Sequence, residues 1–303
     1  MSRLHICNTF FERELQAPSK KSLVEWVRSH PIVMQLQFLP LLYAGPEDRI
    51  AVSDLPANPD PRLCLMDDPP KGLKIEHWGP SLAIADWAKK HGIPYEIPDW
   101  ETVCKVNSKV FSFAESPKLP GGKILENSEE IREWIQKTPE PKVLKSPFGT
   151  AANGHNVNPN VKRLYNGPLI GEPWVERVMD FSTQWLDGEL VAITVFENEE
   201  NGTYKGTFAG VVEPWALEEH LAVAKPLIEK IVRMGYSGHI GIDAFVYLWE
   251  GKKRVHPVVE INARKTMSWV AMQLPEKRLY YTRSTEGLLP SSLGKTQFSR
   301  NII

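Results

Sequence analysis

From Phe181 onward, apolar and polar positions follow patterns typical of long β-hairpins. In FSTQWLDGELVAITVF, two strand-like runs flank Asp187-Gly188, a pair that favours a tight hairpin turn. The segment IGIDAFVYLWEGKKRVHPVVEINA predicts a second hairpin of two long strands, which turn at Glu250-Gly251. Between them, ALEEHLAVAKPLIEKIVRMG repeats its apolar residues at helical spacing. This part of the chain is therefore predicted to be antiparallel, with one long helix.

The first half of the chain has shorter apolar runs, interrupted by many prolines. SLVEWVRSHPIVMQLQFLPLLYA predicts a helix mixed with a short apolar strand, and SLAIADWAKKHGIPYEIP predicts a helix that ends at Gly92 and is followed by a short strand. NSEEIREWIQ predicts a helix capped by Asn127 or Ser128, and KVLKSPFGTAANGH predicts a strand and a loop. Together with the antiparallel segments, these patterns predict an α+β fold class.

Composition excludes several broad classes of protein. The 303 residues carry 36 Lys+Arg and 37 Asp+Glu, so there is no basic excess of the kind that a general nucleic-acid binder shows. The three cysteines are widely spaced, which fits buried structural thiols in a reducing compartment. MSRLHICNTFFEREL lacks the apolar stretch of a signal peptide, and no run is long enough to span a membrane. We expect a soluble, cytoplasmic protein with neither nucleic acid nor membrane as a partner.

The sequence VVEINARKTMSWVA places three polar residues at alternate positions after an apolar start. Glu260, Asn262 and Arg264 share one face if the strand continues through them, because successive side chains of a strand point to opposite faces. Counting back from the predicted turn places Asp243 opposite Glu260. Carboxylate and amide oxygens are ligands that suit Mg²⁺ or Mn²⁺. The alternative is an exposed strand edge, on which Glu260 pairs with Arg264 and Asp243 caps a turn.

Two lysines precede short segments that could surround phosphate groups. Lys145 ends the apolar run of KVLK, and the glycine-containing loop from Ser146 to His155 follows it. Such a loop lets backbone N–H groups approach phosphate closely, while a lysine supplies a point charge. Lys109, in VNSKVFSF, lies at a predicted strand-to-helix junction. The alternatives are a flexible hairpin turn for the loop and solvated surface side chains for both lysines.

The order of these segments resembles the ATP-grasp superfamily over roughly residues 100 to 275. A lysine is followed by a strand, a second lysine and a glycine loop, then by the hinge PWVERVMD, by Asp243 and by EINAR. The resemblance implies two α+β subdomains that close on ATP, preceded by a smaller α/β domain. It implies domain boundaries of 1–105 for the N-terminal domain, 106–178 for the lid subdomain and 179–303 for the large subdomain.

Site roles follow from the resemblance residue by residue. Lys109 and Lys145 would hold the α- and β-phosphates of ATP, under a lid loop from Ser146 to His155 with Gly149 and Gly154 as its pivots. His155 would lie over the phosphates when the loop closes.

The hinge strand and the EINAR strand supply the remaining roles that the resemblance implies. The residues expected against adenine are Glu176, Arg177, Val178 and Met179, and the residue expected at the ribose is Asp180. Many members of the family carry an acid for the ribose a few positions later, where DFSTQ offers only Ser182 and Thr183. The residues expected to bind Mg²⁺ between the β- and γ-phosphates are Asp243, Glu260 and Asn262. Arg264 would stabilise the transferring phosphoryl group or an anionic group of the substrate.

The resemblance implies an ATP- and Mg²⁺-dependent ligase, with Mn²⁺ as an alternative metal. Such an enzyme activates a carboxylate as an acyl phosphate, lets an amine displace phosphate, and releases ADP. Its partners would be small-molecule carboxylate and amine substrates, such as amino acids or a peptide, and the chain would form a homodimer as many of these enzymes do. Two alternatives stay open: a small-molecule kinase of the same fold, and an ATP-binding module without turnover.

Overall fold

The computed structural model of the chain describes residues 2–17, 20–149, 154–163, 165–199, 204–282, 289–290 and 297–299. No helix within these ranges is long and apolar enough to cross a membrane.

Helices are concentrated in the first half of the described chain. The α-helices, in chain order, are α1 (Phe11–Gln16), α2 (Leu23–Arg28), α3 (Pro31–Leu36), α4 (Leu82–His91), α5 (Trp100–Val106), α6 (Lys109–Ala114), α7 (Ser128–Lys137), α8 (Pro214–Arg233) and α9 (Met267–Gln273). A 3-10 turn spans Leu39–Leu42.

Long strands are concentrated in the second half. The strands, in chain order, are β1 (Arg3–Ile6), β2 (Arg49–Val52), β3 (Leu63–Leu65), β4 (Lys74–His77), β5 (Lys123–Leu125), β6 (Lys142–Lys145), β7 (His155–Val157), β8 (Leu169–Pro173), β9 (Glu176–Leu186), β10 (Glu189–Asn198), β11 (Tyr204–Ala209), β12 (His239–Trp249), β13 (Lys252–Asn262), β14 (Arg278–Thr282) and β15 (Gln297–Ser299).

The chain divides into two compact units. The first unit comprises Met1–Trp100, Lys205–Phe208 and Arg264–Ile303, and the second comprises Glu101–Tyr204 and Ala209–Ala263. The predicted division into three domains, with boundaries at residues 105 and 178, is more detailed than this division into two units and stays a prediction.

A parallel sheet organises the first unit. Its strand order is β3-β2-β1-β4, so the chain moves outward from β1 in one direction and then returns to place β4 on the other side. Apolar side chains of β1 pack against those of α2 and α4. The largest members of this core are Phe10, Trp26 and Trp87. The sheet therefore has a switch point between β1 and β4, where the carboxyl ends of the strands form a crevice.

Antiparallel sheets organise the second unit. Four neighbouring strands of a seven-stranded sheet lie in this unit, in the order β13-β12-β9-β10, and a four-stranded sheet has the order β5-β8-β6-β7. Helix α8 packs on β13, where the ring Nδ1 of His220 lies 2.6 Å from the carbonyl oxygen of Pro257. Helix α6 packs on β13 as well, and the N–H of Ile261 on the strand donates to Oγ of Ser112 on the helix at 3.1 Å.

Several local predictions are confirmed. Both hairpins form, and the turn residues Asp187 and Glu250 have φ values of 50° and 52°. Helix α7 begins after Asn127, whose side chain accepts the N–H groups of two first-turn residues. Helix α4 ends at Gly92, which adopts the left-handed conformation.

Two predicted strands are wrong. The segment predicted to mix a helix with an apolar strand forms α2, α3 and the 3-10 turn at Leu39–Leu42. Residues 93–98, predicted as a short strand, adopt no regular structure. In both cases a short apolar run next to proline does not by itself distinguish strand from helix or loop.

Candidate functional site

The hairpin of β12 and β13 sets the positions of the predicted metal ligands. Asp243 pairs with Glu260 and Gly241 pairs with Asn262, so the predicted register is confirmed. The side-chain N–H of Asn262 donates to Asp243 Oδ2 at 2.9 Å. Two carboxylates and one amide therefore converge at the end of the hairpin that is remote from its turn.

Arg264 does not continue the face of this strand. Strand β13 ends at Asn262, and Arg264 belongs to the first unit, where its Nε forms an ion pair with Glu12 Oε1. The prediction that Glu260, Asn262 and Arg264 share one strand face is therefore wrong for Arg264, because the two-residue period ends with the strand.

Lys109 is buried and lies at the amino end of α6. It follows α5 rather than a strand, so the predicted strand-to-helix junction is wrong. Its Nζ donates to Glu260 Oε1 at 2.5 Å and to the carbonyl of Gly149 at 2.8 Å. The position of α6 is supported by Asn107, two residues before the helix, whose Oδ1 accepts the N–H of Ala263, the residue directly after β13, at 2.9 Å.

Lys145 ends β6, as predicted, and is also buried. Its Nζ forms an ion pair with Glu172 on β8, and Glu172 lies 3.8 Å from Nε2 of His256. Burial alone would raise the pKa of Glu172, but the positive charge of Lys145 holds that pKa below its usual value. Burial lowers the pKa of His256 to about 4, against the opposing effect of Glu172. At neutral pH the trio therefore contains an ammonium, a carboxylate and an uncharged imidazole.

These side chains line a small recess in the second unit. Its walls combine both lysines with apolar groups, and its lining residues are Lys109, Phe113, Lys145, Ile170, Glu172, His256, Val258 and Val259. The recess therefore combines a hydrophobic wall with two lysines, each of which forms an ion pair with a carboxylate.

His155 lies beside the lysines. It pairs with Lys145 in the ladder between β6 and β7. Burial, together with the charges of Lys145 and Lys109, lowers the pKa of His155 to about 4. The imidazole is therefore neutral at pH 7.

The predicted lid loop is described at both of its ends, and residues 150–153 lie outside the described part of the chain. The N–H of Ser146 donates to the carbonyl of Gly154 at 3.0 Å, and the N–H of Lys109 donates to the carbonyl of Pro147 at 2.8 Å. Gly154 has a φ of 93°, and an added Cβ would lie 3.2 Å from the Cβ of Ser146. The loop therefore needs glycine at this point, and Lys109 contacts its first residues through both backbone and side chain.

The predicted hinge forms the start of β9. Glu176 and Val178 are exposed, whereas Arg177 and Met179 are partly buried. Arg177 Nη1 donates to Asp180 Oδ1 at 2.9 Å, and burial raises the pKa of that carboxyl above its usual value although Arg177 opposes the shift.

Glu172 and Glu12 were missed in the sequence. An acid in the strand-like segment PLIGEP is unusual at a buried position, and that signal could have identified Glu172. Glu12 lies in a helix with two other charged residues, where nothing local separates it from a solvated face.

The donor set fits a magnesium ion that is shared with phosphates. Among the described residues there is no group of three or more His, Cys, Asp or Glu side chains that could hold a metal. Asp243 and Glu260 provide two carboxylates, and Asn262 adds an amide. Mg²⁺ is commonly held by one or two carboxylates together with water and substrate phosphates, so a sparse set of this kind is sufficient.

Comparisons with solved structures identify the fold. No protein-family profile matches the chain, and no curated protein matches its sequence. A protein from Archaeoglobus fulgidus assigned to the ATP-grasp superfamily has a TM-score of 0.50 and 13% identity, with 98% of each chain covered. N5-carboxyaminoimidazole synthetase from Staphylococcus aureus has a TM-score of 0.51 and 12% identity, with 89% of this chain and 72% of that chain covered.

A biotin carboxylase from Campylobacter jejuni has a TM-score of 0.46 and 16% identity, with 62% of this chain and 47% of that chain covered. The chain thus spans about half the length of this carboxylase. The fold predicted from the sequence is confirmed, and this chain has the ATP-grasp fold.

Proposed function

We propose that the chain is an ATP- and Mg²⁺-dependent ligase that joins a carboxylate to an amine and releases ADP and phosphate. The observation that carries the proposal is the contact of Lys109 Nζ with Glu260 Oε1 at 2.5 Å, with Asp243 opposite Glu260 in the hairpin. One contact thus joins the lysine half of the expected site to the metal half. An ATP triphosphate needs both halves, since its charge is shared between ammonium groups and a divalent cation.

Both lysines are neutralised by carboxylates in the structure, Lys109 by Glu260 and Lys145 by Glu172. Phosphate oxygens would replace these carboxylates on the ammonium groups. Glu260 would then be released to the metal together with Asp243 and the amide oxygen of Asn262. The bound Mg²⁺ would supply Lewis-acid neutralisation of the β- and γ-phosphates. The ion pairs therefore support the proposal, because they already hold the ammonium groups expected at phosphate beside carboxylates, one of which is expected at the metal.

Adenine would contact the hinge from Glu176 to Met179, and Asp180 would face the ribose. Gly149 and Gly154 would let the lid loop close over the phosphates. His155, uncharged at neutral pH, would offer a ring N–H to a phosphate oxygen without adding a further positive charge.

The chemistry requires a better leaving group than a carboxylate oxygen. A carboxylate oxygen of the substrate would attack the γ-phosphorus, and the bond from that phosphorus to the ADP oxygen would break. An amine would then attack the acyl carbon, and phosphate would leave with the electron pair of the broken C–O bond while the amine loses a proton. Lys145 and Arg264 would stabilise the charge of the transferring phosphoryl group and of the substrate.

Product analysis tests the proposal. The purified chain is incubated with ATP, Mg²⁺ and pairs of amino acids, and ADP, AMP and phosphate are measured. ADP formation that depends on both substrates is the expected result, and Lys145→Ala should reduce it by at least about a hundredfold because a positioned charge is lost. Lys162→Ala, an exposed lysine of the same unit, is the matched control. AMP as the nucleotide product would contradict the mechanism.

The kinase of the same fold and the ATP-binding module give different results in the same assay. Hydroxylamine traps an acyl phosphate as a hydroxamate and leaves the phosphate ester of a kinase product intact. A module without turnover would bind ATP in calorimetry and form no ADP with any acceptor. The cytoplasmic location and the homodimer stay predictions.

A further inference from the structure

The ladder between β12 and β13 is irregular immediately before the expected metal ligands. Pairing is regular from the turn as far as Phe245 and His256, and it resumes at Asp243 and Glu260. One residue of β12 lies between these two pairs, whereas three residues of β13, 257–259, lie between them. Strand β13 therefore carries two extra residues at this point, and residues 257–259 form a β-bulge.

The bulge determines which side chain lies opposite Asp243. A ladder without a bulge would pair Asp243 with Val258, because each residue of one strand is then matched by one residue of the other. The two extra residues bring Glu260 to that position instead. The pair of carboxylates expected at the metal therefore depends on the bulge, since a regular ladder would put an apolar side chain in the place of one of them.

Pro257 is the first residue of the bulge and is buried. Proline has no N–H group, so this position cannot donate to the ladder. Its carbonyl oxygen lies 2.6 Å from Nδ1 of His220, a fully buried residue of α8. Since a buried carbonyl without a donor is unfavourable, the imidazole stabilises the bulged conformation of the strand.

Thr183 and Trp185 hold the imidazole in one tautomer. A carbonyl oxygen can only accept a hydrogen bond, so Nδ1 of His220 carries the proton and Nε2 is an acceptor. The hydroxyl of Thr183 on β9 donates to Nε2 at 2.8 Å, and its oxygen accepts the indole N–H of Trp185 at 2.9 Å. Burial lowers the pKa of His220, against the opposing effect of the bond to Pro257. An uncharged ring therefore presents its N–H to the bulge.

Two serines hold the same part of β13 from another side. Ser116 Oγ donates to the carbonyl of Val258 in the bulge at 3.4 Å. Ser112 Oγ accepts the N–H of Ile261, which follows the bulge, at 3.1 Å. Glu260 thus lies between two backbone positions that are fixed by side chains from other elements.

We propose that His220 is a positioning residue of the metal site, which holds the bulge that brings Glu260 opposite Asp243. Its hydrogen bonds go to Thr183 and to the carbonyl of Pro257, so it acts through the backbone of β13 and not on the reacting atoms. The use of the two carboxylates at magnesium rests on the proposed function. The dependence of the bulge on His220 rests only on hydrogen bonds within the second unit.

Two amide variants separate the two hydrogen bonds of the imidazole. The side-chain N–H of His220→Asn lies near the position of Nδ1 and can still donate to Pro257. The longer side chain of His220→Gln carries its amide near the position of Nε2, so the carbonyl of Pro257 loses its donor. Leu227→Ala removes buried apolar contacts from the same helix and is the matched control for lost packing.

Amide hydrogen exchange of the full chain, resolved by residue and measured without metal or nucleotide, reports on the bulge. In His220→Gln, the amides of Ile261 and Ala263 should exchange at least about tenfold faster relative to those of residues 246–255, because the strand after the bulge loses its fixed register. In His220→Asn and Leu227→Ala, this ratio should stay as it is in the unmodified chain.

Binding of Mn²⁺ in the presence of ATP, followed by electron paramagnetic resonance, connects the bulge to the metal. His220→Gln should weaken Mn²⁺ binding about tenfold, as expected for loss of a group that orients a ligand, and His220→Asn should retain it. Faster exchange in His220→Gln, together with an unmodified chain that binds no Mn²⁺, would contradict the proposed function and leave the role of His220 in the bulge in place.

Equal exchange ratios in His220→Gln and His220→Asn would overturn the proposal, because the bond to Pro257 would then have no effect on the bulge. The imidazole gives a second test on the unmodified chain, which stays decisive if the variants do not fold. Nitrogen NMR should show the proton of His220 on Nδ1. A proton on Nε2 would remove the donor from the carbonyl of Pro257, and the proposal with it.

Discussion

Lys109 Nζ and Glu260 Oε1 lie 2.5 Å apart, although 151 residues separate them in the chain. Lys109 is buried at the start of α6, and Glu260 stands on β13 opposite Asp243. The contact fixes the distance between a lysine expected at phosphate and a carboxylate expected at Mg²⁺. It is therefore the contact whose energy most directly tests how the site is assembled.

A double-mutant cycle measures that energy. Lys109→Met and Glu260→Gln are made singly and together, and the free energy of unfolding is obtained from urea titrations. We expect a coupling energy of about 2 kcal/mol, typical of a hydrogen-bonded charged pair that keeps some contact with solvent. The exposed pair of Lys253 and Glu213, with matching substitutions, should couple clearly more weakly, because solvent screens both charges. Equal coupling energies in the two pairs would contradict the role of the contact between Lys109 and Glu260 in assembling the site.

The parts of the site that could be predicted from the sequence depend on local geometry. The Glu250-Gly251 turn sets the register of β12 against β13 as far as the pair of Phe245 and His256, and an irregularity between Asp243 and Phe245 then brings Asp243 opposite Glu260. The lysine at the end of β6 follows from an apolar run that stops at Lys145. In each case the information lies within a single element or hairpin.

The parts that could not be predicted depend on contacts between distant segments. Glu172 pairs with Lys145 because β8 lies beside β6, and Arg264 pairs with Glu12 although 252 positions separate them by number. The end of β13 at Asn262 is a further example, since the alternation of polar residues continues in the sequence after the strand has stopped. The periodicity of a sequence predicts which residues of a strand share a face, but it does not predict the residue at which tertiary packing ends the strand.

Glu172 should be important for stability as well as for the site. Glu172→Ala leaves the buried ammonium of Lys145 without its partner, and we expect a loss of about 3–5 kcal/mol in the free energy of unfolding. The double variant Glu172→Leu with Lys145→Met removes both charges and should recover most of that loss. Urea titration checks both values. A double variant less stable than Glu172→Ala would show that the pair itself, rather than the stranded charge, determines stability.

The metal assignment predicts selective effects on Mn²⁺ binding. Free Mn²⁺ is followed by electron paramagnetic resonance while the chain is titrated in the presence of ATP. Asp243→Asn and Glu260→Gln should each weaken Mn²⁺ binding by about tenfold or more, because each replaces a charged oxygen ligand by a neutral amide. Glu189→Gln, at an exposed position on β10, is the matched control. Binding that is unchanged in both site variants would exclude the hairpin as the metal site.

Two histidines of the second unit, His155 and His256, predict how stability depends on pH. The pKa values of His155 and His256 are lowered to about 4 in the folded chain, mainly by burial, whereas an unfolded histidine titrates near 6.5. Between these values the unfolded chain binds more protons than the folded chain, so the free energy of unfolding falls as the pH is lowered from 6.5 to 4. Each histidine contributes a slope of up to about 1.4 kcal/mol per pH unit.

Replacing both histidines isolates their contribution from that of the carboxylates. Between pH 6.5 and 4, the free energy of unfolding of the variant His155→Gln with His256→Gln should fall less steeply with decreasing pH, because up to about two fewer protons are taken up on unfolding. Above pH 7, its plot of unfolding free energy against pH should run parallel to that of the unmodified chain. Urea titrations at half-unit pH intervals give the two curves. Parallel curves through the acidic range would mean that both imidazoles are protonated as easily in the folded chain as in the unfolded one. In that case the recess beside Lys145 admits an additional positive charge, and the uncharged imidazole assigned to His155 at the phosphates would have to be abandoned.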